Sequence, residues 1–416
     1  KEWAEIIKDL ADSEFALEHN VNLKVNLLPE GAFAGTVNTL LLSVNAGKEP
    51  DVVLNMTAAN TSEYAIRGVI KDLTEFKDFK EYKKYTFDQL YNHISYEGAV
   101  YGLPETMEFK SLIYRTDIFE KLKIEVPDTW DEVYNTMLPK LYQNNLQMFI
   151  PQSFNLFLYQ NGGQFYTDDK KKSALDSDSA FRAFDQFIGN YQDYGFPYQV
   201  SFLNRFRTGE VPVGVASYSQ YSQLAVFAPE IQGLWEFSLV PGTIKTDANG
   251  NTLYDENGKA IVDHSCASNT SGCVMLSMDS STEEGRNRIA RAWEFMKWWT
   301  GEDAQYRFGT EIESLLGAAA RYQTANLQAM SRLPWDKKSM TMIQEQWKYS
   351  NAIPQVPGGY YTARNIEFAW KEVINNAAAD PNTTFVEYVS KIDREIDRKR
   401  EEFKDKIAQM TGKAVE

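Results

Sequence analysis

The sequence IARAWEFMKWWTGEDAQYRFGTEIESLLGAAAR, residues 289–321, begins with a helical pattern that has almost no polar face. Its apolar residues recur at the spacing of a helix, at Ile289, Ala292, Trp293, Met296 and Trp299. Phe295 and Trp298 widen this stripe, so we expect the helix to be buried on more than one side. Ser281 stands three residues before Glu284, which is the capping-box pattern that starts such a helix.

The second half of the same stretch predicts a place where the chain crosses between two packed bodies. Glu311 and Glu313 come just before the small-residue segment LLGAAA at 315–320, and Arg321 follows it. A buried helix that leads into small residues flanked by charges is what such a crossing requires. The alternative is an ordinary core helix followed by a loop.

Length and composition describe a large acidic globular protein. A chain of 416 residues exceeds what one hydrophobic core usually holds, so we expect two or three domains. The net charge of −15 argues against nucleic acid, whose phosphates require clustered cations, and against anionic membrane surfaces. No stretch of about 18 apolar residues occurs, so we expect no transmembrane helix.

The first part of the chain alternates strand and helix patterns. Residues 21–27 alternate apolar and polar side chains as a strand does, 33–47 have a helical pattern that ends in glycine, and 50–54 form a short apolar strand. This order predicts an α/β layer with parallel strands, in which ligands bind beyond the carboxyl ends of the strands. Asn60 and Tyr64 follow the strand at 50–54, although capping of a helix is the alternative for Asn60.

A series of short motifs then follows in an order that is more specific than any one of them. They are YGLP at 101–104, IYRTDIF at 113–119, PDTWDE at 127–132, NGG at 161–163, FRTGE at 206–210, LVPG at 239–242, AWEFMKW at 292–298, LGA at 316–318 and IPQVP at 353–357. The succession resembles the extracellular solute-binding proteins of ATP-driven sugar importers, the maltose-binding protein class, over essentially the whole chain.

The resemblance implies an α/β fold of two lobes like that of the periplasmic binding proteins. Each lobe is a sheet flanked by helices, and a hinged cleft lies between the lobes. We expect residues 1–108 plus 268–316 to form lobe 1, and 109–267 plus 317–416 to form lobe 2. The expected chain crossings lie near 108–111, 265–271 and 313–319.

The same resemblance implies a function outside the membrane. The protein would bind a carbohydrate, an oligosaccharide in our interpretation, and deliver it to the transmembrane subunits of an ABC permease. We expect a monomer with no cofactor or metal, held at the cell surface by a lipid anchor upstream of this chain. Members normally begin with a strand, and none precedes the helix at Trp3, so we expect either that the strand was left off or that it lies far upstream across an insertion.

The candidate ligand-binding residues combine resemblance with local pattern. Glu108 keeps the residue type and the distance to Ile113 that the family shows beside its cleft. The tyrosines at a strand end or a glycine-rich bend offer faces for sugar rings, with packing under a loop as their alternative. Arg364 offers five donors for hydroxyls. The complete set is Asn60, Tyr64, Glu105, Glu108, Gln152, Tyr218, Tyr221, Glu313, Tyr360, Tyr361 and Arg364.

The sequence lacks the usual signatures of an enzyme. Its three histidines belong to no metal motif, and no P-loop or nucleophile elbow occurs. Glu105 with Glu108, or Glu311 with Glu313, have the residue types of a glycosidase pair, but we expect them to accept hydrogen bonds from a ligand. The alternatives for function are a binding protein for peptide or another polar solute, and a sensor or adhesin without a transport role. The spacing of Cys266 and Cys273 fits no metal or redox motif.

Overall fold

A computed structural model of the chain describes residues 1–27, 40–44, 46–85, 88–247 and 249–411. Residues 40–44 are helical, and most of the remaining helix expected at 33–47 lies outside the described residues. The other α-helices are α1 (Glu2–Leu10), α2 (Ala16–His19), α3 (Ala58–Ile66), α4 (Phe79–Tyr82), α5 (Asp88–Tyr91), α6 (Thr116–Leu122), α7 (Trp130–Glu132), α8 (Leu138–Gln143), α9 (Phe154–Gln160), α10 (Asp178–Gln192), α11 (Phe202–Thr208), α12 (Gln220–Phe227), α13 (Glu283–Trp299), α14 (Glu302–Leu316), α15 (Leu327–Arg332), α16 (Lys337–Trp347), α17 (Tyr360–Asn375), α18 (Pro381–Glu402) and α19 (Lys404–Thr411).

The strands of the described residues form one continuous hydrogen-bonded path and two small hairpins. The path runs in the order β1-β10-β4-β6-β5, with β11 beside β10 and β7 beside β4. The strands are β1 (Val52–Thr57), β2 (Ser95–Tyr96), β3 (Ala99–Val100), β4 (Leu103–Arg115), β5 (Met148–Phe149), β6 (Val213–Ser217), β7 (Trp235–Ser238), β8 (Thr243–Ile244), β9 (Val262–Asp263), β10 (Cys266–Met275) and β11 (Ser350–Asn351).

Strand β4 belongs to two sheets because it is 13 residues long and changes partners along its length. Its first part, 103–109, pairs antiparallel with β10, and its second part, 110–115, pairs antiparallel with β6 and β7. Strand β10 continues from its pairing with β4 to β1 at one end and to β11 at the other. These two strands therefore connect the two lobes, where two of the three crossings are expected.

The third connection runs beside β4 slightly later in the chain than the sequence predicts. After α14 ends at Leu316, a short 3-10 turn leads to the segment 322–326. The backbone N–H of Met107 donates to the Gln323 carbonyl at 3.0 Å, and the N–H of Ala325 donates to the Glu105 carbonyl at 3.0 Å. Three chain segments thus lie together at the junction of the lobes.

The helix α13 is buried as its sequence predicts. Trp293 is 3% exposed and Trp299 is fully buried against the first sheet, while Phe295 and Trp298 are partly buried and contact Phe15. The cap that begins the helix is Thr282, whose hydroxyl accepts from the Gly285 N–H at 3.0 Å. Thr282, the residue after Ser281, therefore makes the cap. This corrects the capping box expected between Ser281 and Glu284.

The hydrophobic core is divided in the way that two lobes require. The largest apolar cluster contains Phe109 and Leu112 and surrounds the second half of β4. Two smaller clusters cover the opposite faces of the first sheet, one around Trp299 and one around Tyr64. The second of these also contains Phe403 and Ile407, so the C-terminal helix packs against α3.

Two expectations for the first sheet are wrong. Residues 21–27 form no strand, and Leu27 is 62% exposed, because no described strand pairs with them. The first sheet is antiparallel where β1 meets β10, and the described parallel pairs are β5 with β6 and β10 with β11.

Cys266 and Cys273 are free and buried, on the same strand, so no disulfide joins them.

Candidate functional site

A cleft of about 900 Å³ lies where the end of β1, the middle of β4 and β10, and helices α9 and α17 meet. This volume is near the upper end of the usual range for small-molecule sites, about 300–1,000 Å³. The middle residues of β4 and β10, which connect the two lobes, form the base of the cleft, and the lobes supply its walls.

The base of the cleft is polar because two neighbouring strands present hydroxyl, amide and carboxylate groups there. Glu108 of β4 pairs in register with Asn269 of β10, and both line the cleft. Two residue pairs further along, the hydroxyls of Thr106 and Ser271 are hydrogen-bonded at 2.5 Å. These are the groups that hydrogen-bond the hydroxyls of a polar ligand, whose burial without partners is costly.

Glu108 is held in place by a second-lobe residue. One of its carboxylate oxygens accepts a hydrogen bond from the hydroxyl of Ser219, which follows β6. Lys110, two residues further along the strand, donates to the hydroxyl of Ser217 at 2.8 Å, and burial lowers the pKa of its ammonium group. The Glu108 carboxylate is thus fixed at one oxygen and lies in the cleft wall.

The first-lobe wall begins where β1 ends. Thr57 caps α3, since its hydroxyl accepts from the Asn60 N–H at 3.3 Å, and Asn55 and Thr57 both line the cleft. Trp3 of α1 lines the same wall with 41% of its surface exposed, and its ring meets the Tyr322 ring edge-on at 5.8 Å. An indole held in this way offers an apolar face to a sugar ring.

The second-lobe wall combines an apolar floor with a polar rim. Phe154, Phe187 and Trp370 are almost fully buried and form part of the floor. The rim contains Arg364 and Tyr360, and the Tyr360 hydroxyl donates to Glu395 at 2.7 Å. Further rim residues are Gln152, Asn155, Gln355 and Glu367.

The charge in the described walls is small. The acidic side chains of the walls are Glu108 and Glu367, and the basic side chain is Arg364. His93 also lines the cleft, with its Nε2 atom 2.9 Å from the Ser268 hydroxyl, and burial lowers its pKa to about 4. The imidazole is therefore neutral at physiological pH, and the walls suit an uncharged polar ligand better than a strongly charged one.

Two buried polar atoms in the cleft wall have no hydrogen-bond partner among the described residues. They are the hydroxyl of Thr270 and the indole nitrogen of Trp370, on side chains that are 6% and 3% exposed. Some other indoles have partners: Trp130 donates to Gln160, and Trp293 donates to Asp78. A buried donor without a partner is costly, so a ligand oxygen that reached either atom would be stabilising.

Four of the residues in the candidate set lie in the cleft wall, and the rest lie outside it. The four are Glu108, Gln152, Tyr360 and Arg364. Asn60 lies next to the cleft wall, since its backbone N–H donates to the hydroxyl of Thr57, which is a wall residue. Tyr361, next to Tyr360 on α17, is partly buried and does not belong to the described cleft wall.

The other candidates are occupied by the structure itself. Tyr64 belongs to the apolar cluster of the first lobe, and Tyr218 is fully buried and donates to the Met107 carbonyl at 2.8 Å. Tyr221 donates to Asp336 at 2.8 Å in a groove outside the cleft. Glu313 makes a two-bond ion pair with Arg321, at 2.7 and 2.9 Å. In each case the side chain packs in a core or bonds to another residue of the protein.

Glu105 also lies outside the cleft, directly behind its wall. Its carboxylate accepts from the Asn55 N–H at 2.6 Å and from the Trp299 indole at 2.9 Å. Glu105 is 3% exposed, and this burial raises its pKa to about 7 against the lowering effect of the two hydrogen bonds. Since Glu108 faces the cleft and Glu105 does not, the two carboxylates do not flank one space as a glycosidase pair must.

Sequence reasoning missed much of the site. The residues it did not name include Trp3, Asn55, Thr57, Asn269, Thr270, Gln323, Gln355 and Trp370. Asn55 could have been found, because it directly follows the apolar strand 50–54 whose carboxyl end was the expected site. Trp3 and Trp370 give no such signal, since each occupies an apolar position in a helical pattern.

The chain belongs to the bacterial extracellular solute-binding proteins, because the model of that family matches residues 11–329. It shares its fold with the sugar-binding protein MalE from Xanthomonas citri, at a TM-score of 0.75 and 16% identity over 97% of each chain. The extracellular solute-binding protein from Staphylococcus aureus, solved in complex with maltose, gives 0.70 and 14% over 94% of each chain. The substrate-binding protein Lmo0181 from Listeria monocytogenes, solved with cycloalternan, gives 0.66 and 18% over 93% of this chain and 95% of that one.

These likenesses establish the two-lobe binding-protein fold and a family of binding proteins rather than enzymes. No curated protein matches the chain by sequence. Within the described ranges, no helix is both long and apolar enough to cross a membrane. No group of three or more His, Cys, Asp or Glu side chains in the described part of the chain could hold a metal ion.

Proposed function

We propose that the protein binds an uncharged oligosaccharide in the cleft, without turnover, and delivers it to the transmembrane subunits of an ATP-driven importer. The observation that carries the proposal is the composition of the cleft wall. Exposed faces of Trp3 and Tyr360 can cover the C–H faces of sugar rings, while Glu108, Asn269 and Arg364 can satisfy hydroxyls. The volume of about 900 Å³ supports a ligand of more than one ring.

The fold neighbours support the same ligand class. One is a cyclo/maltodextrin-binding protein complexed with maltotetraose, and another is a Thermotoga lettingae protein bound with α-D-tagatose. The fold also accommodates a different polar solute, because UgpB from Mycobacterium tuberculosis is complexed with glycerophosphocholine.

We further propose that closure of the lobes accompanies binding. The lobes would be 1–108 plus 268–316 and 109–267 plus 317–416, except that α19 at the C-terminal end packs on α3 of the first lobe. The segments that cross between the lobes would bend as a hinge. A lipid anchor upstream of the chain would keep the protein at the cell surface near the permease, and the protein would act as a monomer. The support for closure is strand β4, which pairs with β10 in its first part and with β6 and β7 in its second part.

The test is a ligand screen by thermal shift, followed by isothermal titration. A ligand that binds only the native state raises the melting temperature, by an amount that grows with its concentration over its Kd. Maltotetraose, cycloalternan, tagatose and glycerophosphocholine form the first panel. A shift with an oligosaccharide supports the proposal, and a shift with glycerophosphocholine alone would contradict it. Recovery of shorter sugars after incubation with the pure protein would contradict the absence of turnover.

A further inference from the structure

Strand β1 contains a bulge beside the cleft. Its register against β10 shifts between Val53 and Met56, and Asn55 in this interval has a backbone φ of +56°. A non-glycine residue in the left-handed region is uncommon and costs conformational energy, so the surrounding structure must hold it there. Bulges occur often next to binding sites, where they redirect a side chain.

A bulge removes a backbone N–H from the ladder, and that N–H then needs another acceptor. At Asn55 the acceptor is the carboxylate of Glu105, at 2.6 Å. The other carboxylate oxygen accepts from the Trp299 indole at 2.9 Å, so the carboxylate is fixed between the sheet and α13. Asn55 lines the cleft, whereas Glu105 does not.

The environment of Glu105 gives its carboxylate no cation. The titratable groups that face it are the Cys273 thiol of β10 and the Tyr322 phenol, and burial raises the pKa of both well above the ordinary values. No described Lys, Arg or His pairs with Glu105. A buried carboxylate without a counter-ion destabilises the fold, and such a group is usually kept for what it does to a site.

We propose that Glu105 is a positioning residue, which holds the bulge at Asn55 and thereby shapes the first-lobe wall for the ligand. The inference rests on the proposed function, since it concerns the affinity of the same cleft. An ionised carboxylate accepts more strongly than a neutral carboxyl, so the bulge is held most firmly when Glu105 is ionised. The pKa of about 7 places this change in the physiological range.

The inference predicts that a rise in pH lowers the stability of the fold but raises the affinity for the ligand. The pKa of Glu105 is higher in the folded protein than its ordinary value of 4.5, so its contribution to stability falls as the pH rises through the interval from 4.5 to 7. Ligand affinity should instead rise over pH 6 to 8, by about fivefold, which is the difference between a charge-assisted and a neutral hydrogen bond.

The first arm of the experiment needs no ligand. Hydrogen exchange at the Asn55 amide is measured at pH 6 and pH 8, corrected for the intrinsic rate, in wild-type protein, Glu105→Gln and Glu105→Ala. We expect protection in the wild type at pH 8, about tenfold faster exchange in Glu105→Ala, and a pH-independent value in Glu105→Gln, which mimics the neutral acid. Glu108→Gln is the control, because it lies on the same strand and does not contact Asn55. Equal exchange in all four proteins would overturn the inference.

The second arm measures the affinity for maltotetraose, or for another saccharide from the panel that the wild type binds, at the same two pH values. Glu105→Gln should bind at pH 8 as weakly as the wild type does at pH 6, with no pH dependence of its own. Wild-type affinity in Glu105→Gln would overturn the positioning role. If the wild type binds no saccharide, the proposed function fails, and the exchange arm still decides whether Glu105 holds the bulge.

Discussion

The ion pair between Glu313 and Arg321 gives the sharpest prediction for stability. Glu313 lies in the last turn of α14, and Arg321 follows the 3-10 turn at the lobe junction, with side chains 17% and 7% exposed. The guanidinium makes two hydrogen bonds to the carboxylate and lies over the Trp335 ring at 4.8 Å. Removal of Glu313 therefore leaves a cation that is buried against aromatic rings.

The magnitude follows from the burial of this pair. Loss of one partner costs about 3–5 kcal/mol for a fully buried pair and about 0–1 kcal/mol for an exposed one. With Arg321 nearly buried and Glu313 partly exposed, we expect Glu313→Ala to lower the free energy of unfolding by about 2–3 kcal/mol. Glu313→Gln keeps one acceptor oxygen and should lose about half as much.

Urea unfolding followed by tryptophan fluorescence measures the loss, and Glu302→Gln is the matched control. Glu302 pairs with Arg332 across α14 and α15, and both are about 40% exposed, so that variant should change stability by less than about 0.5 kcal/mol. Affinity for a saccharide per folded molecule should stay at the wild-type value, because Glu313 is outside the described cleft wall. A loss below about 0.5 kcal/mol in Glu313→Ala, or a loss of affinity in a fully folded variant, would refute this reasoning.

Four further outcomes are expected of the cleft. Glu108→Gln should weaken saccharide binding by about 1.5–3 kcal/mol in isothermal titration, and an unchanged Kd would remove it from the site. Thr270→Val removes a buried hydroxyl without a described partner at nearly constant volume, so it should keep or raise the melting temperature while lowering affinity. Trp370→Phe removes an indole N–H without a described partner but also leaves a cavity in the buried floor, so it should lower both the melting temperature and the affinity; Trp335→Phe, outside the cleft, is the control that should leave affinity unchanged. Tyr360→Ala should cost about 1–3 kcal/mol of binding if its ring stacks on a sugar, by analogy with base stacking. Saturating ligand should reduce the radius of gyration in small-angle scattering, and an unchanged value would contradict hinge closure.

The two-lobe fold was predicted from the resemblance carried by the ordered motifs, whereas burial patterns predicted individual helices. The stripe of α13 predicts a helix covered on two sides, and the structure confirms it through Trp299 on the sheet and Trp298 against Phe15. The strand pattern at 21–27 is equally regular but forms no described strand, since alternation predicts a strand only where a partner is available.

The site was harder to predict because residue type does not fix the direction of a side chain. Tyr218 and Tyr360 are both tyrosines beside an element end, yet Tyr218 is fully buried and Tyr360 is 55% exposed in the cleft wall. Glu105 and Glu108 lie three residues apart on one strand, so they point to opposite faces of the sheet. In such pairs, only the position of the neighbouring elements determines which side chain faces the cleft and which one lies behind its wall.

The long strand β4 has a consequence for any attempt to engineer the molecule. Because β4 and β10 each continue from the region of one sheet toward the other, a cut between residues 109 and 110 would deprive both sheets of a central strand. The halves are therefore not interchangeable modules, and a chimaera of lobes from two relatives would have to replace both strands together. New specificity has to come instead from substitutions along the cleft walls, where Trp3 and Arg364 lie on helices that can vary without breaking either sheet.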